Sequence, residues 1–174
     1  MFEIRCHGRG GQGARFLSLL IGRAGFLSGY HVQDFPLYGS ERRGAPMQSF
    51  IRLSSEPILT RGYVHNPDFV IILDDSLDTK AILGDCKESV AIINTTRPKT
   101  SFKAKKVYTL DATELALQNI GKPIMSTVML GAFAKVFKKL PMKNLEKAIE
   151  LELSEKKELM HKNKEACVAG FKAV

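Results

Sequence analysis

With 174 residues, 44% of them hydrophobic and 25% charged, the chain has the composition of an ordinary globular protein, which excludes global disorder and leads to a single domain over residues 1–174 as the expectation. Its densest apolar stretch, Phe69–Leu73, is five residues long, far too short to cross a bilayer. The formal net charge of +8 raises nucleic acid as a partner, but no aromatic-interleaved basic stripe and no nucleic-acid module accompanies it, so neither nucleic acid nor membrane is expected.

Met1–His7 carries Glu3 and Arg5 and lacks an apolar signal core, which points to the cytoplasm. Cys6, Cys86 and Cys167 lie too far apart in sequence for a disulfide framework or a Cys-x-x-Cys ligand set, and three scattered thiols fit a reducing compartment. Charge divides unevenly. Residues 1–96 hold ten basic and ten acidic side chains, whereas 97–174 hold sixteen and eight. Before Lys80 every basic residue is arginine, and after Arg97 every one is lysine. Lysine-rich helices are usually solvated faces; arginines among glycines suit carboxylate or phosphate recognition.

In chain order, Phe2–Cys6 alternates apolar and polar and predicts a strand. Gly8–Gly13 is a glycine cluster, and Ala14–Leu27 has the three- and four-residue apolar spacing of a helix, stopped at Gly29. Tyr30–Phe35 predicts a second strand ended by Pro36. Tyr38–Pro46 is polar and glycine-bearing and predicts a loop that reaches toward something. Met47–Leu53 and Tyr63–Val64 predict short antiparallel strands, and Phe69–Leu73 a strand buried on both faces. Asp74-Asp75-Ser76 is placed to cap a helix over Leu77–Leu83. Val90–Ile93 and Lys106–Leu110 predict strands; Asp111 caps a helix over Ala112–Ile120 that Gly121 and Pro123 end. Ser126–Phe137 predicts a helix whose Gly131, Ala132 and Ala134 permit close approach to a neighbour. Met142–Leu153 and Lys156–Lys172 are amphipathic. Strands alternating with helices predict an α/β sandwich built on a largely parallel sheet.

Gly8-x-Gly10-x-x-Gly13 follows a strand, opens a helix and has Asp34 twenty-one residues beyond Gly13, as a dinucleotide-binding loop would. Glycines allow close backbone approach, and helix N-terminal amides attract phosphate. Against an NAD or FAD site stand Arg5 and His7 in the leading strand, the bulk of Arg9 and Gln12 in the loop, and Asp34 running straight into Phe35-Pro36. A structural turn and another anion or protein contact remain as open readings.

Taken together, Arg5-Cys6-His7-Gly8-Arg9-Gly10-Gly11-Gln12-Gly13-Ala14 and Phe35-Pro36-Leu37-Tyr38-Gly39-Ser40-Glu41-Arg42-Arg43-Gly44-Ala45-Pro46 resemble the gamma subunit of the 2-oxoacid:ferredoxin oxidoreductases, in its pyruvate and 2-ketoisovalerate branches. Asn66-Pro67-Asp68, Asn94-Thr95, Asp111-Ala112-Thr113 and Met129-Leu130-Gly131-Ala132 extend the likeness over nearly the whole chain. One departure is Ser126-Thr127-Val128-Met129, where the family tends to Asn-Thr-Pro-Met; it bears on where that helix starts. The resemblance implies a three-layer α/β/α sandwich around a largely parallel, mixed sheet, in a subunit without a redox centre of its own and inactive alone. Its complex would convert 2-oxoacid, coenzyme A and oxidised ferredoxin to acyl-coenzyme A, carbon dioxide and reduced ferredoxin. Thiamine diphosphate, magnesium and 4Fe-4S clusters would belong to alpha, beta and delta partners. No Gly-Asp-Gly with a following Asn-Asn, the thiamine signature, occurs in this sequence.

On this reading Arg9, Gly10, Gly11, Arg42 and Arg43 form the candidate binding surface, facing the phosphates of coenzyme A or a partner subunit. The plain alternative for Arg42 and Arg43 is an ion pair with Glu41. No catalytic or metal-ligating residue is assigned. His7 reads as a polar group satisfied by a backbone partner, Cys6 as a small buried side chain, and Met125, Met129 and Met142 as core fillers. His31, His65 and His161 are too dispersed for a metal set.

Overall fold

The computed structural model describes residues 1–37 and 44–174, so Glu41, Arg42 and Arg43, and most of the Tyr38–Pro46 loop, lie outside the described residues. The alternation that begins at Phe2 continues to Arg9, giving β1 (Phe2–Arg9). There follow α1 (Ala14–Leu27), β2 (His31–Leu37), β3 (Pro46–Ser54), β4 (Phe69–Ile72), α2 (Thr79–Gly84), β5 (Val90–Asn94), β6 (Lys106–Leu110), α3 (Ala112–Ile120), α4 (Ser126–Phe137), α5 (Met142–Glu152) and α6 (Lys157–Lys172). Together they make the mixed α/β architecture the element pattern predicts.

The six strands stand in the order β2-β3-β1-β4-β5-β6. β1, β4, β5 and β6 run parallel, while β3 is antiparallel to both β1 and β2. From β1 the chain leaves through α1 toward the β2 edge; from β4 it leaves through α2 toward the β6 edge. The two directions part at the carboxyl ends of β1 and β4, where open α/β sheets place their ligand crevice.

The layers are lopsided. Ile4, Cys6, Ile51, Leu53, Ile71 and Ile92 face a large core shared with α1 and the four carboxyl-terminal helices. Val70, Ile72, Ala91 and Ile93 face a small one closed by Leu83, Cys86 and Phe102. Within the thick layer α4 is buried almost all round, from Ser126 to Ala134, as its small and apolar sequence demands. It crosses α6 at glycines on both helices: a Cβ on Gly131 would fall 1.9 Å from the Cys167 carbonyl oxygen, and one on Gly170 1.9 Å from that of Val128. Phe133 and Phe137 stack at 5.1 Å, and the Phe69 ring meets both edge-on.

Three local expectations change. Pro36 lies inside β2 rather than ending it, which the edge position of that strand tolerates. Tyr63–Val64 forms no strand; the Tyr63 ring packs 5.5 Å from Phe50 and Val64 is buried. The cap of α2 is Asp78, whose carboxylate accepts from the Ala81 amide, and Asp74 and Asp75 are engaged elsewhere. By contrast, Asp111 caps α3 and Gly121 ends it at φ 78° as expected, and α4 starts at Ser126 without the family's proline.

Replacing Gly131 or Gly170 by alanine will force α4 and α6 apart. A loss of about 1–3 kcal/mol or more, a fall of several degrees in thermal midpoint, is expected for each. Gly84→Ala, which would meet nothing within 4 Å, serves as the neutral control. Midpoints unchanged in all three variants would refute the close-approach account.

Candidate functional site

At the carboxyl end of β1 the glycine loop is fastened on both sides. The Gly10 amide donates to the Ala45 carbonyl at 2.9 Å, and the Gly44 amide donates back to the Gly10 carbonyl at 3.1 Å. Arg9 turns toward the end of β4: its Nε lies 3.1 Å from Asp74 Oδ2, its Nη2 donates to Ser76 Oγ at 2.9 Å, and its Nη1 to the Gly44 carbonyl at 3.2 Å. Gln12 closes the figure. Its Oε1 accepts from the Arg9 amide at 2.8 Å while its Nε2 donates to Asp74 Oδ2 at 2.7 Å.

Asp74 is therefore the node between the loop and β4. Burial opposes its charge, yet hydrogen bonds from Ser76 and Gln12 and the nearby Arg9 guanidinium outweigh that and hold its carboxyl below the ordinary value. Gln12 carries no role in the sequence reading, and Asp74 reads there only as part of a helix cap. Their partnership spans 62 positions, and no local pattern carries such a pairing.

The expected surface divides in two. Arg9 and Gly10 are spent on holding the loop against residues 44–45 and 74–76. Gly11 instead faces a groove of about 540 Å³ whose walls are largely apolar, with Phe16, Leu19, Met47, Ile124 and Leu159 among them and Arg15, Lys122, Ser126 and Asn163 as its polar side chains. Gly13 takes φ 88° and packs so closely on α4 that a Cβ there would lie 3.1 Å from Ser126 Oγ, and no acidic residue occupies the first turn of α1. Amides at a helix start without a nearby carboxylate favour anions. Arg42 and Arg43 lie outside the described residues, but their neighbour Gly44 is pinned to Gly10 and Arg9.

The dinucleotide alternative has no support. β3 stands between β1 and β2, so Asp34 is one strand removed from the position a ribose-binding acid needs. It lies opposite Ile51 and pairs with Arg15 of α1.

On the opposite face of β1 lie Arg5 and His7, 8% and 3% exposed. Arg5 donates to Cys86 Sγ and, at 3.5 Å, to the Ile82 carbonyl, leaving its Nε unpartnered among the described residues. His7 departs from its expectation: its Nε2 is buried and meets no hydrogen-bond partner, backbone or otherwise, among the described residues. Burial first, and the Arg5 charge second, push its pKa down to about 3, so the imidazole is neutral. Burial likewise raises the Cys6 thiol far above its usual range and that of Cys167 to about 12; both are inert. All three cysteines are free and buried. Among the described residues no cluster of three or more His, Cys, Asp or Glu is placed to hold a metal ion. What the geometry offers is a fastened polar loop beside a largely apolar groove.

Comparison with known proteins gives the class. Residues 3–173 match the family model described as pyruvate ferredoxin/flavodoxin oxidoreductase, and the chain belongs to that family. Its relatives there are gamma-type subunits. It is 49% identical to pyruvate synthase subunit PorC of Methanothermobacter marburgensis over 78% of this chain and 77% of that one. It is 41% identical to the subunit of the same name from Thermotoga maritima over 99% and 94%. The crystal structure of the Thermotoga maritima pyruvate oxidoreductase subunit superposes with a TM-score of 0.87 at 36% identity, covering 99% of this chain and 96% of that one.

The neutral, buried His7 generates a pH test. An unfolded histidine binds its proton near pH 6.5 and the folded one only near pH 3, so the unfolded state takes up the extra proton between those values. Stability should fall as pH drops through that window, by up to about 1.4 kcal/mol per pH unit from this group. Urea unfolding from pH 7 to pH 3.5 should show a shallower acid slope in His7→Gln. Parallel slopes in the two proteins would remove His7 from the account.

Proposed function

We propose that the chain is the gamma subunit of a pyruvate-type 2-oxoacid:ferredoxin oxidoreductase. The observation that carries this reading is the match to pyruvate synthase and pyruvate oxidoreductase subunits over almost the entire length of both partners. The complex would convert 2-oxoacid, coenzyme A and oxidised ferredoxin to acyl-coenzyme A, carbon dioxide and reduced ferredoxin. Thiamine diphosphate, magnesium and 4Fe-4S clusters would be held by alpha, beta and delta partners, and the chain alone would be inactive. Its own part is assembly, and the provision of a wall on the coenzyme A side of the site. No described helix is long and apolar enough to cross a membrane, and three free thiols fit the cytoplasm.

On this reading the fastening of the loop has a purpose. Arg9, Gln12 and Asp74 hold the Gly10–Gly11 backbone and the Gly44–Ala45 strand entry in one rigid piece. Arg42 and Arg43, adjoining that entry in sequence, are offered to coenzyme A phosphates or to a neighbouring subunit. A guanidinium fork on a phosphate is a charge-assisted bond worth roughly 1.5–3 kcal/mol.

Arg42→Ala and Arg43→Ala complexes should keep their 2-oxoacid KM and show a coenzyme A KM raised about ten- to a hundredfold. If the arginines hold the interface instead, the complexes will fall apart on gel filtration. Arg9→Ala should lower the thermal midpoint as well, since it cuts the loop from Asp74 and Ser76. Assembled variants with unaltered coenzyme A kinetics would reduce the cluster to solvated charge. Turnover of pyruvate by the purified chain alone would overturn the subunit reading itself.

A further inference from the structure

The lysines of this chain fall into two groups once their neighbours are known. On α5 and α6 half of them are answered: Lys147 and Lys164 both meet Glu150, and Lys162 meets Glu158, while Lys143, Lys157 and Lys172 form no ion pair with a described residue. Residues 141–174 hold seven lysines against six glutamates, so these helices contribute almost nothing to the net charge. The ten residues 97–106, which join β5 to β6, hold five basic side chains and no acidic one. Most of the chain's excess charge is concentrated in that short connection.

The connection does not lie alone. It packs beside α2 across a cleft of about 410 Å³, bounded by Thr79, Lys80, Lys87, Ser101 and Lys103 above a floor of Leu83 and Phe102. No acidic residue lines it, and none of its three lysines forms an ion pair with a described residue. Leu83 and Phe102 are buried and the three lysines exposed. Arg97, with its guanidinium 5.0 Å from the Phe102 ring centre and paired to Asp75, stands behind the floor. Asp68, Asp85 and Glu88 line an adjoining cleft that shares Gly84 and Lys87 with this one and also takes in Lys105, so Lys87 stands on the rim between the two.

The position adds a second reason. Among the described residues this side of the sheet is covered by the six-residue α2, the Lys99–Ser101 turn and the segment around Tyr63, and the cleft lies over the smaller of the two cores. An apolar floor ringed by three uncompensated ammonium groups fits an extended acidic segment that lays one apolar side chain on Phe102 and Leu83 and carboxylates on the lysines. The lining holds no arginine to fork onto a phosphate, and a lysine meets an anion as a point charge without that geometry. We propose, resting on the subunit reading above, that the cleft between α2 and residues 97–106 docks an acidic segment of another subunit of the complex. Like-signed lysines would also speed encounter with that partner and make the contact salt-sensitive.

The test uses the chain assembled with its partner subunits. A triple charge reversal, Lys80→Glu with Lys87→Glu and Lys103→Glu, is compared with an equal reversal of the exposed Lys156, Lys157 and Lys172 to glutamate. Circular dichroism melts establish that both variants fold. The cleft variant should associate with the partner subunits roughly tenfold or more weakly at about 0.1 M salt, and lose the salt dependence of the parent. The control should associate as the parent does. Equal association of the cleft variant and the parent would overturn the proposal. So would saturable binding of coenzyme A or inorganic triphosphate to the chain by calorimetry, abolished in the cleft variant, which would make this a small-anion site. Failure of the unaltered chain to assemble with any partner would refute the subunit reading instead, a result readily told from the first.

Discussion

The pairing of β1 on both edges is the constraint from which the rest of this structure follows. Eight consecutive residues of β1 find partners on the antiparallel strand β3, and four of them also on the parallel strand β4. A strand so placed is buried on both faces, and its length carries the chain to Arg9 before it turns. The glycine loop is thereby delivered to the point where the connections from β1 and β4 part. Only then can Arg9 and Gln12 reach Asp74, since each is held by backbone pairing on its own strand end or in the turn just after it. The loop's geometry is a consequence of sheet pairing, locked by a few polar contacts.

The same strand explains the polar layer beneath the sheet. Side chains alternate along β1, so Ile4 and Cys6 enter the large core while Glu3, Arg5, His7 and Arg9 point the other way. Arg52 of β3, beside them, is 1% exposed and satisfied by Glu3 at 2.7 Å and Gln33 at 2.7 Å. Arg5 has no such carboxylate among the described residues, and His7 sits next to it as a neutral ring. Burying a guanidinium this way costs stability.

Much of this was legible along the chain, because it rests on local physics. The apolar period of Ala14–Leu27, the Asp111 cap and Gly121 stop around Ala112–Ile120, and the small-residue run of Ser126–Phe137 each give a helix with the boundaries observed. The buried run of Phe69–Ile72 could be only an inner strand. Misreadings occurred where a local signal had two outlets. Pro36 reads as a terminator until its strand is known to be at an edge, and an Asp-Asp-Ser run after a strand reads as a cap until Arg9, Gln12 and Arg97 are known to need its two carboxylates.

Tertiary structure alone decided what lies beside what. That β3 inserts between β1 and β2 removes Asp34 from the dinucleotide position, and nothing in Gly8-x-Gly10-x-x-Gly13 announces it. The tie from Arg9 to Asp74 crosses 65 positions, and the neutralisation of Lys164 by Glu150 crosses 14. Periodicity, capping and glycine placement are properties of a few consecutive residues, so the sequence determines them by itself. Strand order, ion-pair partners and unanswered charge depend on residues brought together by long-range hydrogen bonding and burial, and only the folded chain contains that information.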